Sequence, residues 1–151
     1  MENNSQKTID VLNELVEINN DRVAGYENAA KETEQEDLKT VFNKLADDSR
    51  KCQDELTSQV TKLGGTPKRG TSTSGKVYRV WMDVRSALTN KDRHAVLSSC
   101  ETGEDVAVKA YEDALDKKSE ISPEGAQLIQ KQVSIIRAGH DKVKALRDSA
   151  K

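Results

Sequence analysis

Glu104 and Tyr111 are the residues whose types and spacing most invite chemistry in this 151-residue chain. They lie seven apart in CETGEDVAVKAYEDAL, Cys100 to Leu115. At ~100° per residue, seven residues return to nearly the same helical face. Leu97, Cys100, Val108 and Leu115 complete that stripe at helical spacing. A carboxylate there is costly to bury unless it is paired, hydrogen-bonded or bound to metal. Glu101 lies one turn earlier, so Glu101 and Glu104 together are a candidate carboxylate pair for a divalent cation. Other chemistry is sparse. His94 and His140 are the two histidines, and His140 adjoins Asp141 off the main stripe, as a surface or boundary residue would. No Ser, His and Asp cluster orients a general base. TSTSG and LGGTP lack the Lys-Ser/Thr ending and strand context of a phosphate loop.

Such residues need long helices to hold them, and the composition suits helices. A third of the chain is charged, five residues are aromatic and two are proline. Net charge is −2 with the signs mixed, which gives no electrostatic footprint for nucleic acid. No apolar run approaches the ~20 residues that span a membrane. The N-terminal MENNSQKTIDVL lacks the basic and apolar regions of a signal peptide. Cys52 and Cys100 fall within helical patterns without CxxC spacing, as reduced core thiols or a disulfide pair would. A cytoplasmic, single-domain protein over residues 1–151 is the expectation.

Apolar periodicity predicts a first helix over Ser5–Thr33, striped by Ile9, Leu12, Leu15, Val23 and Tyr26, with Asn19 at a core position. Gly25 inside it implies close packing against a neighbour. Thr33 and Glu36 stand at capping-box spacing before a second helix, Glu36–Leu63, whose stripe softens midway to Ser49 and Cys52. Gly64-Gly65 stops that helix as a left-handed C-cap, with Pro67 to prevent continuation. The loop TPKRGTSTSG and a short amphipathic helix through Val77, Val80, Val84 and Leu88 then break the up-down rhythm. Ten extended residues and a 14-residue helix cover roughly 33 and 21 Å, enough to cross a bundle lengthwise. Trp81, on that short helix, packs it down or stacks a ligand. A third helix follows over Lys91–Lys118 with Asn90 as its cap, and a fourth over Pro123–Ser149 with Ser122 as its cap. The expected fold is an all-α four-helix bundle with one long helix 2–helix 3 crossover, the ferritin-like arrangement. A weak internal repeat, GYENA at 25–29 and AYEDA at 110–114, fits two related hairpins or arises from common helical residues.

LNELVEINNDRVAGYENA, LGGTPKRG, VYRVW and CETGEDVAVKAYEDAL together resemble a small family of unknown function among the bacterial ferritin-like four-helix-bundle proteins. The resemblance covers nearly the whole chain. It implies a ferritin-like fold and a suspected stress role, and no established activity. Metal-bearing bundles of this type carry Glu on two helices and Glu-x-x-His on the other two. Here Glu104 fits such a position, but Asn19 stands on helix one, Ser49 and Cys52 on helix two, and Gln132 and Gly139 on helix four. Carboxylate and imidazole together hold iron, so the site is expected to be degenerate, with no cofactor. A single iron or other divalent metal at Glu101 and Glu104 is the alternative.

Asn19, Ser49, Glu104 and Gln132 are instead expected to meet as one mid-bundle polar layer, since buried polar groups are paired. Tyr26 and Tyr111 lean toward it and offer hydroxyls. Arg22 or Arg50 is the candidate counter-ion for Glu104; without a cation, burial would raise that carboxyl's pKa. With such a layer, Glu104→Gln should fold normally and Glu104→Ala should cost a few kcal/mol by leaving partners unsatisfied. The expected function is a non-catalytic, stress-associated structural or interaction protein that self-associates; the competing one is iron handling or oxidation. A DNA-protecting role would need a basic tail, and HDKVKALRDSAK is only mildly basic.

Overall fold

A computed structural model describes residues 2–150, which form five α-helices and, among the described residues, no strand. The long helices are α1 (Glu2–Glu32), α2 (Glu36–Lys62), α4 (Arg93–Asp116) and α5 (Pro123–Ser149). The short α3 (Gly75–Thr89) lies in the connection between α2 and α4, and a 3-10 turn (Lys118–Glu120) links α4 to α5.

The helix ends follow local chemistry. At the end of α2, Gly64 takes φ 87°, its N–H donates to Thr61 O and the Gly65 N–H donates to Val60 O. This is the paired bonding of a Schellman stop. Ser122 Oγ accepts from Gly125 N at 3.1 Å, and Pro123 occupies the first turn of α5. Two expected caps are corrected. Gln35, not Thr33, precedes α2 and makes no side-chain cap; Thr33 Oγ1 accepts from Gln35 N at 3.2 Å instead. Asn90 is the C-cap of α3, and α4 starts two residues later than expected, where Asp92 accepts from Ala95 N at 3.0 Å. The cause is Lys91, at φ 56°, which closes α3 with a second Schellman stop and uses up the positions before Asp92.

Contacts along the crossover fix the topology. It leaves α2 beside the start of α1, where Gly65 lies against Ile9 and Asn13 donates to Thr66 O at 3.0 Å. It then runs along α1, with Asn20 donating to Gly70 O at 2.9 Å and Asp21 accepting from Ser72 N at 2.7 Å. It finishes at the far end, where Lys91 pairs with Glu34 and Arg93 with Asp37. The segment therefore spans the bundle lengthwise, and α2 and α4 run parallel. At the near end Ser122 N donates to Thr8 Oγ1, so α5 runs parallel to α1.

Trp81 anchors α3. A Cβ on Gly25 would meet its ring at 2.3 Å, and a Cβ on Gly103 of α4 would meet Val80 Cγ1 at 3.1 Å. The indole stands edge-on to Tyr26 at 5.1 Å between centroids. Two apolar clusters fill the bundle: one around Leu12, Leu15, Leu56, Tyr111 and Ile129, the other around Tyr26, Phe42, Leu45, Leu97 and Val143. Each fully buried Leu or Phe contributes about 1.5–3 kcal/mol.

Candidate functional site

Between those clusters every long helix turns polar. Asn19, Ser49, Glu104, Gln132, Tyr26 and Tyr111 are all fully buried, and Arg22 is 2 % exposed. They form two hydrogen-bonded layers in place of the single layer expected.

The first layer is ionic. Arg22 of α1 grips Glu104 of α4 with two parallel bonds, Nε to Oε2 at 2.8 Å and Nη2 to Oε1 at 2.7 Å. Its third arm, Nη1, donates to Ser49 Oγ of α2 at 2.5 Å. α5 contributes a gap: a Cβ on Gly139 would stand 2.7 Å from Glu104 Oε1 and 3.0 Å from Arg22 Nη2. The fork geometry and low dielectric favour the pair, although desolvating two charges costs several kcal/mol per ion. Burial pulls the Arg22 pKa down, but Glu104 outweighs it and holds the guanidinium charged.

The second layer is neutral. Asn19 Nδ2 donates to Leu15 O and to the Tyr111 hydroxyl, both at 2.9 Å. Tyr111 donates in turn to Gln132 Oε1 at 2.7 Å, and Gln132 Nε2 donates to Cys52 O and Glu55 Oε1, both at 3.1 Å. All four long helices take part here, α2 through both Cys52 O and Glu55. Burial lifts the Tyr111 phenol far above its ordinary value, so it stays a donor.

The repeat acquires a crossed geometry. Asn19 meets the tyrosine of α4, while Glu104 lies close enough to Tyr26 of α1 for its charge, after burial, to raise that phenol. Tyr26 differs from expectation: its hydroxyl has no hydrogen-bond partner among the described residues. Its ring does the work instead, stacked on Phe42 at 5.7 Å and carrying the Arg22 guanidinium 5.6 Å from its centroid. Arg50 is not the counter-ion; it pairs with Glu27 and Asp47 at the surface.

Glu101 and Glu104 are held apart by different arginines. Arg147 Nη1 bonds Glu101 Oε1 at 2.5 Å, leaving Glu101 Oε2 buried without a partner among the described residues. No group of three or more His, Cys, Asp or Glu among the described residues could hold a metal ion. The groups beside Glu104 are the Arg22 guanidinium, the Tyr26 phenol and the Cys100 thiol, and both its oxygens are already engaged by a cation. That set does not fit a di-iron centre. Cys52 and Cys100 are buried free thiols, and burial pushes Cys52 up to about 11 and Cys100 higher still. Neither is a nucleophile at neutral pH. His140 lies at the α4–α5 boundary, Nε2 2.6 Å from Asp105 and Nδ1 3.3 Å from Asp141. His94 is near the start of α4, 3.4 Å from Ser98 Oγ.

Sequence reasoning placed Gly139 on the stripe of helix four without giving it a role, and left Arg22 undecided. Both had a signal. Arg22 sits three after Asn19 and four before Tyr26, hence on the buried face, and Gly139 falls three after Ile136 on the stripe of α5.

Residues 7–117 match the family described as a domain of unknown function (DUF2383), and the chain belongs to that family. The match runs from α1 to the end of α4, so it includes Arg22, Ser49 and Glu104, while Gln132 and Gly139 lie beyond it. No curated protein matches the chain. No helix among the described residues is long and apolar enough to cross a membrane.

Proposed function

We propose that this member of the DUF2383 family is a non-catalytic, ferritin-like structural or interaction protein whose former metal centre is replaced by an internal ion pair. The observation that carries the reading is Arg22, which binds both oxygens of Glu104 at mid-bundle. A metal dication at Glu104 would have to displace a guanidinium fixed by three hydrogen bonds and would be repelled by it. The parallel α2 and α4, joined by a lengthwise crossover, support the ferritin-like assignment. Reduced thiols fit a cytoplasmic, single-domain protein, and the stress association rests on the resemblance alone. Elemental analysis of protein purified from iron- and manganese-supplemented cells tests the reading: trace metal is expected, and one equivalent per chain overturns it.

The second reading is a metal-binding protein for iron handling or oxidation. The unpartnered Glu101 Oε2 favours it, since a buried carboxylate oxygen without a donor is a free ligand. If it is right, Glu101→Gln abolishes the metal found in that same analysis.

A further inference from the structure

The outward face of α3 combines apolar groups with cations that have no partner. Tyr78 and Met82, 40 % and 38 % exposed, are the large hydrophobic residues most open to solvent among those described. With Trp81 they line a groove of about 290 Å³ against Ala24 and Gly25 of α1. Lys76, Arg79 and Arg85 are exposed on the same helix, Arg69 lies on the loop leading to it, and none of the four has an ion pair among the described residues. An apolar centre rimmed by charge is the anatomy of a protein interface.

The chain itself says what complements it. Residues 63–92 carry six cations against two acids, whereas residues 1–62 carry fourteen acids against eight cations. Two crossover lysines already use this asymmetry within the molecule, Lys68 on Glu17 and Lys91 on Glu34. Among the described residues, the exposed Asp10, Glu14, Glu32 and Asp54 of the α1–α2 hairpin have no ion pair, against the unpaired cations Lys31 and Lys51. Two α3 faces would set Lys76, Arg79 and Arg85 of each copy against the same cations across a two-fold axis, with Asp83 alone on each helix to offset them.

The geometry points to a head-to-tail contact in which the α3 face of one copy docks on the acidic α1–α2 hairpin of a second copy. Such a contact closes into a ring or extends. It deepens the proposed structural role, yet it is independent of metal content, so the two can fail separately. Sedimentation velocity of the full chain at low and high salt tests it, since surface ion pairs weaken as the screening length falls from ~30 Å at about 0.01 M to ~3 Å at about 1 M. Wild-type protein should sediment as oligomers at low salt and as monomers at high salt. Arg79→Glu with Arg85→Glu should be monomeric at low salt, as should Asp10→Lys with Glu14→Lys and Asp54→Lys. An equimolar mixture of these two folded variants should associate again, because the retained faces are complementary and the two reversed faces are complementary as well. Monomeric wild type at low salt overturns the proposal, and so does a mixture that fails to pair. Binding of the monomer to anionic vesicles or duplex DNA through α3, without self-association, overturns it in favour of another partner.

Discussion

Arg22 and Glu104 change what a substitution at the bundle centre does. Had Glu104 been a neutral acid among amides, Glu104→Gln would preserve its hydrogen bonds. With Arg22 clamped on both oxygens, the amide leaves a buried guanidinium uncompensated. Glu104→Gln is therefore expected to cost about 3–5 kcal/mol in urea denaturation. Replacing both members, Arg22→Met with Glu104→Leu, should return stability to within about 1 kcal/mol of wild type or raise it, since the desolvation cost disappears with the charges. A benign Glu104→Gln would mean that the pair is not formed. Gly139→Ala offers a steric test of the same site. Its Cβ has no room beside Glu104 Oε1 and Arg22 Nη2, so about 1–3 kcal/mol should be lost although alanine is the better helix former. A stabilised Gly139→Ala protein would contradict that packing.

At the scale of elements, the helix ends and one inter-helix clasp carry measurable terms. Lys91 holds a left-handed conformation that disfavours any residue with a Cβ. Lys91→Gly should thus raise the melting stability by about 0.5–1 kcal/mol, the exposed bond to Glu34 being of small value. A lower melting temperature would refute this. His140 ties α5 to Asp105 of α4, with Asp141 on its own helix and Glu101 also acting on it. Burial lowers its pKa, but those carboxylates outweigh burial and leave it raised above 6.5. A raised folded-state value means that the clasp is fully present below the unfolded pKa. It is lost as pH rises through the folded one. Stability should fall by no more than about 1 kcal/mol across that window, and the dependence should vanish in His140→Gln. An unchanged profile in that variant would remove His140 from the account.

Across the whole molecule, the helical stripes, the Gly64-Gly65 stop and the Ser122-Pro123 start were legible in the sequence because each is fixed by neighbours within a turn or two. The crossover was legible from its length. What sequence could not give was register between hairpins. Asn19 and Glu104 each announce a buried polar position on their own helix, but nothing local says that Asn19 reaches Tyr111 while Glu104 reaches Arg22. That choice is set by how α1–α2 docks on α4–α5. The start of α4 was missed for a related reason: Asn90 and Asp92 can both cap, and the turn at Lys91 decides between them.

The separation along the chain also bears on how the protein assembles. Arg22 and Glu104 are 82 residues apart, whereas each hairpin closes through contacts made across a short turn. Local closure comes first when loop entropy governs the order of events. The two charges then stay hydrated until the preformed hairpins dock, and their burial belongs to the last, downhill part of folding. In a chevron experiment the destabilisation by Glu104→Gln should appear in the unfolding arm, with the folding rate within about twofold of wild type. The ion pair would then act as a latch on an assembled bundle, governing how long it stays closed more than how fast it forms.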